Sequence, residues 1–172
     1  MQSEIAQQIK MVILDVDGVM TDGLIGYGGD EKIKFFHSQD DHLIRMTIRA
    51  GIPVAIISGR ADKANVDHAK ELDIGPCYFG ALDKLAAFNT LLETQQLSAA
   101  ECLYMGDDLM DIPVLRRAGI AAVPADGTLE AKEVATIVTE ARGGRGAIRE
   151  VLVALLQAQG KWPSLMARYW VE

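Results

Sequence analysis

The chain has 172 residues, 49% of them hydrophobic and 24% charged, with a formal net charge of −7 at pH 7. That length suits one domain with a core of its own, and the composition excludes general disorder. The acidic balance excludes a phosphate-backbone binder, because nucleic-acid affinity depends on Lys and Arg displacing counterions.

The N-terminal "MQSEIAQQIK" has no apolar leader core. No later stretch reaches the roughly 18 consecutive apolar residues that cross a bilayer, so a cytoplasmic protein with no membrane partner is expected. The run "MVILDV" at 11–16 is continuously apolar and predicts a strand covered on both faces. It ends in "DVDGVMTDG", three aspartates and two glycines within nine positions. Residues 23–36, "GLIGYGGDEKIKFF", read as a β-hairpin: "LIGY" and "KIKFF" flank a "GGDE" turn.

Helical stretches and apolar runs then alternate. A helix at about 40–50 precedes the run "PVAIIS" at 53–58, and one at 61–72 precedes "PCYF" at 76–79. A helix at 82–96 leads to "CLYMG" at 102–106, and one at 109–118, which Asp107 or Asp108 can cap, leads to "IAAVP" at 120–124. A helix at 128–134, the run "TIVT" at 136–139 and a helix at 146–159 complete the series. Gly51 and Gly119 stand where helices stop. Such alternation specifies an α/β fold with a largely parallel sheet. The tail "GKWPSLMARYWVE" at 160–172 carries both tryptophans, and is expected to dock on the core or on a neighbouring subunit. Cys77 and Cys102 lie in apolar runs without metal-ligand spacing and read as reduced thiols.

In a parallel α/β sheet, ligands bind beyond the carboxyl ends of the strands. Asp15 and Asp17 follow the first strand, and Ser58, Gly59 and Arg60 the second. Asp107 and Asp108 follow the fourth, with Asp111 one helical turn on, and Lys84 begins the helix after the third. Carboxylates gathered at one edge repel one another unless a cation sits among them, and hard oxygen ligands select Mg²⁺. One aspartate can attack phosphorus and form an aspartyl-phosphate. A second can protonate the leaving alkoxide and then deprotonate the hydrolytic water. Of Asp15 and Asp17, one is then nucleophile and the other proton carrier, while Lys84 and the Ser58 hydroxyl supply positioning and charge. These pieces describe a phosphatase.

"DVDGVMTDG", "IISGR", Lys84 and "GDDLMD", in this order, resemble the four motifs of the haloacid dehalogenase (HAD) superfamily. With the hairpin, "GIPVAIISGR", "DK", "YMGDDLMDIPVLRRAG" and "GGRGAIREV", the chain resembles the 3-deoxy-D-manno-octulosonate 8-phosphate (Kdo-8-phosphate) phosphatase subfamily over most of residues 9–155. The resemblance implies a single HAD-like hydrolase domain over 1–172. Its core would be three-layered and Rossmann-like, with a hairpin flap at 23–36 and a C-terminal tail at 160–172.

By this resemblance Asp15 would be nucleophile and Mg²⁺ ligand, and Asp17 acid and base, also offering Mg²⁺ its backbone carbonyl. Ser58 would contact phosphate, Lys84 would hold nucleophile and phosphate together, and Asp107 would ligate the metal. Asp108 or Asp111 would act through water or orient the site. Substrate contacts are implied at Gly59, Arg60, Asp40, His68 and Arg149. The implied reaction converts Kdo-8-phosphate to Kdo and phosphate in lipopolysaccharide biosynthesis, with a nine-carbon sugar acid 9-phosphate as the alternative substrate.

Only 40 residues separate Asp17 from Ser58 and only 25 separate Ser58 from Lys84, so no large cap domain fits between them. An uncapped site needs other cover, and in the resembling family the hairpin builds a homotetramer that supplies it. Two departures bear on the substrate. Asp41 and Leu43 in "DDHLI" stand where the family has glycines, and His68 stands where it often has an arginine suited to a sugar-acid carboxylate.

Other readings are weaker. A calcium loop needs oxygen where Val19 stands, and His37, His42 and His68 lack metal spacing, which disfavours zinc. The "GGRGA" stretch reads more simply as a loop entering the last helix than as an anion cradle. An inactive HAD-fold interaction protein would have lost at least one catalytic residue, and none is missing.

Overall fold

The computed structural model describes residues 3–29 and 31–170. In chain order its elements are α1 (Ser3–Gln8), β1 (Met11–Leu14), β2 (Gly26–Gly28), β3 (Glu31–Ile33), α2 (Ser38–Arg49), β4 (Val54–Ser58), α3 (Lys63–Glu71) and β5 (Cys77–Phe79). There follow α4 (Lys84–Gln95), β6 (Cys102–Met105), α5 (Ile112–Leu115), β7 (Ile120–Val123), α6 (Leu129–Glu133), β8 (Ile137–Val138), α7 (Ala147–Ala158) and α8 (Trp162–Met166).

All six apolar runs become strands of one sheet, in the order β5-β4-β1-β6-β7-β8 with every pair parallel. β1 is central, and Ile13 lies between Ala55 of β4 and Tyr104 of β6. Strand side chains alternate between faces, so each strand feeds two cores. Val12 and Leu14 pack with Leu43 and Ile44 of α2 and Val151, Leu152 and Leu155 of α7. Met11 and Ile13 face the other way, toward Phe88 and Leu91 of α4 and Val114 of α5. Burying each such side chain contributes roughly 1.5–3 kcal/mol, and a three-layer α/β architecture is the outcome.

The hairpin is a separate two-stranded antiparallel sheet, with Gly26 opposite Ile33 and Gly28 opposite Glu31. Its paired strands are shorter than "LIGY" and "KIKFF" implied, because the flanking residues leave the ladder. Gly29 takes φ +65° in the turn, and Asp30 of the expected "GGDE" turn lies outside the described residues. The helix expected over 109–118 is divided: a 3₁₀ turn at Leu109–Asp111, capped by the Asp108 carboxylate, runs into α5 with a proline in its first turn.

Two short helices, α1 and α8, were not expected. Tertiary contacts hold the second: Trp162, Leu165 and Met166 pack on the α2/α7 core, and Lys161 donates to the Ala50 carbonyl at 2.9 Å. Of the two tail tryptophans, Trp162 docks while Trp170 stays exposed.

Candidate active site

The carboxyl edge of the sheet positions the chemistry. β1 ends at Leu14, and the Asp15 amide still bonds to the Met105 carbonyl of β6 at 3.0 Å, so Asp15 leaves a strand that is held on its last rung. Its Oδ1 accepts from the Val16 amide at 2.7 Å, and Oδ2 lies 2.7 Å from Lys84 Nζ. Lys84 is delivered by the start of α4, which is fixed by the Asp83 carboxylate capping Ala86 at 3.0 Å.

Lys84 Nζ also donates to Asp111 Oδ1 at 2.7 Å. Asp111 is completely buried and fully used: Tyr104 donates its hydroxyl to Oδ1, and the amides of Asp107 and Asp108 donate to Oδ2 at 3.1 Å each. That arrangement folds Asp111 over Gly106, where a Cβ would come within 2.3 Å of the carboxyl carbon. Asp111 therefore ties the Lys84 ammonium to the end of β6 and the loop that follows it. Asp108 is exposed and caps Leu109 at 2.7 Å.

Asp15, Asp107 and Asp111 each offer an oxygen within 4.8 Å of the others. One ammonium cannot neutralise three carboxylates. Burial, followed by the Asp111 charge, lifts Asp15 to about 6 although Lys84 pulls it down. Burial, with Asp15 and Asp111 adding to it, pushes Asp107 up to about 8. Burial alone would lower Lys84, but Asp15 and Asp111 hold it above the usual lysine value. A partly buried carboxyl held this far from its ordinary range is what a hard dication would relieve, so the donor set fits Mg²⁺.

Asp17 sits beyond Asp15 at the rim of the same cleft, about 470 Å³ in volume. Its Oδ2 lies 3.4 Å from Arg60 Nε, and Oδ1 is 2.6 Å from Lys34 Nζ. Ser58, Gly59 and Arg60 line the cleft opposite, with Ser58 Oγ accepting from the Arg60 amide at 3.4 Å. The loop carrying Asp17 rests on the "GGRGA" segment: Gly144 donates to the Val19 carbonyl at 2.9 Å, and a Cβ on Gly143 would sit 1.8 Å from the Gly18 oxygen. These glycines admit a backbone rather than cradle an anion.

Three residues expected at the substrate do not line this cleft. Asp40 is buried and takes the amides of Gly146 and Arg149 at 3.0 and 2.7 Å, completing the first turn of α7. Arg149 joins that bond through its backbone, and its side chain is on the exposed face of α7. His68 bonds through Nε2 to Asp41 Oδ1 at 3.0 Å and stacks on Phe36, ring centroids 3.7 Å apart. The two departures at positions 41 and 68 are thus each other's partners.

Lys34 was not anticipated at all. Its side chain is completely buried beside Asp17, and the only trace of it in the sequence is the alternation of lysines in "KIKFF". Tyr104 was equally hidden, as one apolar residue in a strand.

Comparison with known proteins identifies the family. A family model of haloacid dehalogenase-like hydrolases matches residues 78–152. The chain is 44% identical over 157 residues to the 3-deoxy-D-manno-octulosonate 8-phosphate phosphatase KdsC of Yersinia pestis, covering 91% of this chain and 84% of the relative. The Moraxella catarrhalis Kdo-8-phosphate phosphatase, crystallised with magnesium, phosphate and KDO, superposes with a TM-score of 0.94 at 34% identity, covering 97% of each chain. The Yersinia pestis enzyme structure gives a TM-score of 0.91 at 42% identity, covering 94% of this chain and 88% of that one.

Proposed function

Since the chain belongs to the Kdo-8-phosphate phosphatase family of haloacid dehalogenase-like hydrolases, we propose that it hydrolyses that ester to Kdo and phosphate. It is a phosphoric monoester hydrolase with Mg²⁺ as cofactor. The observation that carries the reading is the Lys84 ammonium lodged between Asp15 and Asp111 at 2.7 Å from each, beside Asp107 at the strand ends.

Asp15 attacks phosphorus and becomes the aspartyl-phosphate, its orientation set by the Val16 amide and Lys84. Asp17 gives its proton to the departing sugar oxygen and then takes one from the water that opens the intermediate. Ser58, Lys84 and the backbone of Gly59 hold phosphate oxygens, and Arg60 meets the carboxylate of the sugar acid. Asp15, Asp107 and the Asp17 carbonyl would hold Mg²⁺, with Asp108 acting through water. When bound, the ion supplies positive charge against the phosphate and the crowded carboxylates.

The whole chain acts as one hydrolase domain, in the cytoplasm, as a homotetramer. Support for self-association comes from the hairpin, which leaves Tyr27 and Phe35 more than three-quarters or fully three-quarters exposed (77% and 75%). Two strands of three residues are not stable alone. The test is phosphate release from Kdo-8-phosphate with and without Mg²⁺, beside a nine-carbon sugar acid 9-phosphate. Asp15→Asn keeps the shape and removes the nucleophile, and turnover above a hundredth of wild type in that variant would exclude the covalent route.

A further inference from the structure

The chain leaving β3 is clasped to one face of the α3 segment. Alternate residues Lys32, Lys34 and Phe36 meet Asp62, Asn65 and His68, an extended-chain period of two set against a helical period of three. Lys32 Nζ bonds Asp62 Oδ1 at 2.6 Å, Lys34 Nζ donates to Asn65 Oδ1 at 2.9 Å and lies 3.2 Å from Asp62 Oδ2, and Phe36 stacks on His68.

Lys34 alone of the three continues into the active site. Its side chain is completely buried, and its third neighbour is Asp17 Oδ1 at 2.6 Å. An ammonium has three N–H groups and no acceptor, so a buried lysine stays put only when its acceptors surround it. Asn65 Oδ1 accepts from it, and the Asp62 and Asp17 carboxylates stand against it at ion-pair distance. Two of them belong to the rigid start of α3, which makes Asp17 the held partner and Lys34 the holder.

We propose that Lys34 is a positioning residue for Asp17: it fixes Oδ1, leaving Oδ2 on the cleft side as the oxygen that carries the proton. The proposal rests on the reading of Asp17 as acid and base. At 2.6 Å from Nζ, Oδ1 is within reach of an ammonium N–H whether the carboxyl is neutral or ionised, so the hold persists through both half-reactions. In the first, an Asp15 oxygen bonds to phosphorus as the bond to the ester oxygen breaks, and that oxygen leaves with the Asp17 proton. In the second, the water oxygen bonds to phosphorus as the bond between Asp15 and phosphorus breaks, and the water proton returns to Asp17. A carboxyl turned away from the cleft could do neither. The same clasp ties the acid to the root of the hairpin.

The experiment compares leaving groups. kcat/KM reports steps up to departure of the leaving group, and p-nitrophenolate departs without needing a proton whereas a sugar alkoxide does not. Lys34→Met and Lys34→Gln are measured on Kdo-8-phosphate and on p-nitrophenyl phosphate at saturating Mg²⁺, with Tm recorded; the glutamine keeps a polar head for Asn65 should the methionine variant lose its fold. The expected result is a loss of about 10- to 100-fold on Kdo-8-phosphate, a part of the ~10²–10⁴ that a general acid supplies, and under about threefold on the aryl ester. In an Asp17→Asn background the Lys34 substitutions should add nothing. Equal losses on both esters, no loss on either, or an additive loss without Asp17 would make Lys34 purely structural. If Asp17→Asn itself fails to distinguish the two esters, the acid–base reading falls and the proposal with it. If Asp17→Asn distinguishes them and the Lys34 variants do not, only the proposal falls.

Discussion

A Cβ placed on Gly18 would lie 2.0 Å from Oδ2 of Asp107, so the loop after β1 and the carboxylate after β6 pass at a distance that admits only hydrogen. Gly18 also has φ +83°, where a side chain adds strain of order 1–3 kcal/mol. Gly18→Ala is expected to push Asp107 off its position and lower kcat/KM by about 100-fold, the cost of a displacement near 1 Å in a catalytic group. Mg²⁺ should also bind more weakly, read as a smaller rise in Tm on titration, while the far-ultraviolet circular dichroism stays that of the parent. Retention of full activity would mean that Asp107 tolerates displacement and is not a direct ligand.

Metal binding should strengthen with pH. Asp107 is raised to about 8 in the metal-free fold from an ordinary value of 3.8, so the folded chain binds a proton there that the unfolded chain has already released. Stability from that proton is complete below pH 3.8 and is lost as pH rises through about 8. Mg²⁺ binds the ionised carboxylate and displaces the proton, so the Tm increase at fixed Mg²⁺ should be larger at pH 8.5 than at pH 6.5. An increase that is equal at the two values, or larger at the lower one, would separate Asp107 from the metal.

Much of this site was legible because its residues follow apolar runs. Asp15, Ser58 and Asp107 each stand within two residues of a strand end, and a parallel sheet brings all such ends to one edge. Lys84 was legible through its place after the third run. Lys34 was not, because an extended segment leaving a hairpin does not say which helix it will lie on, and that contact is decided by α3. Asp40 illustrates the opposite limit. Its position beside a resembling motif suggested substrate, yet the free amides at the start of α7 take its carboxylate. In the fold, α1 and α8 escaped notice because helices of five or six residues have little intrinsic stability and exist here through docking.

Exposure of Tyr27 and Phe35 makes the hairpin the place to test assembly. Lys34 and Phe36 point inward to α3, so Phe35 between them points outward, and it is 75% exposed. Light scattering of the wild type should give four times the 18.7 kDa of the chain. Tyr27→Asp combined with Phe35→Asp should reduce that to one chain and lower kcat/KM by exposing the cleft, with Tm measured to separate dissociation from unfolding. A wild type that runs as a fully active monomer would remove the hairpin from the argument about how the cleft is covered.

Substitution at residue 68 tests where specificity resides. His68 turns to Asp41 and Phe36 rather than to the cleft, and its side chain is only 11% exposed. An arginine there would find the Asp41 carboxylate first, since a paired and stacked charge has no reason to leave its partner for a cavity it does not line. His68→Arg is therefore expected to leave the ratio of kcat/KM for Kdo-8-phosphate over a nine-carbon sugar acid 9-phosphate within about threefold, under ~1 kcal/mol of differential transition-state binding. His68→Ala should act on stability instead, costing about 1–3 kcal/mol through the unpaired Asp41 and the lost stack on Phe36, again with the ratio held. Arg60 is a cationic side chain that does line the cleft, and unlike Lys84 it is not locked between two carboxylates, so Arg60→Met should change the ratio where residue 68 does not. A tenfold or greater change with His68→Arg would mean that residue 68 reaches substrate across a subunit boundary. The pairing with Asp41 would then have to break when the sugar acid binds.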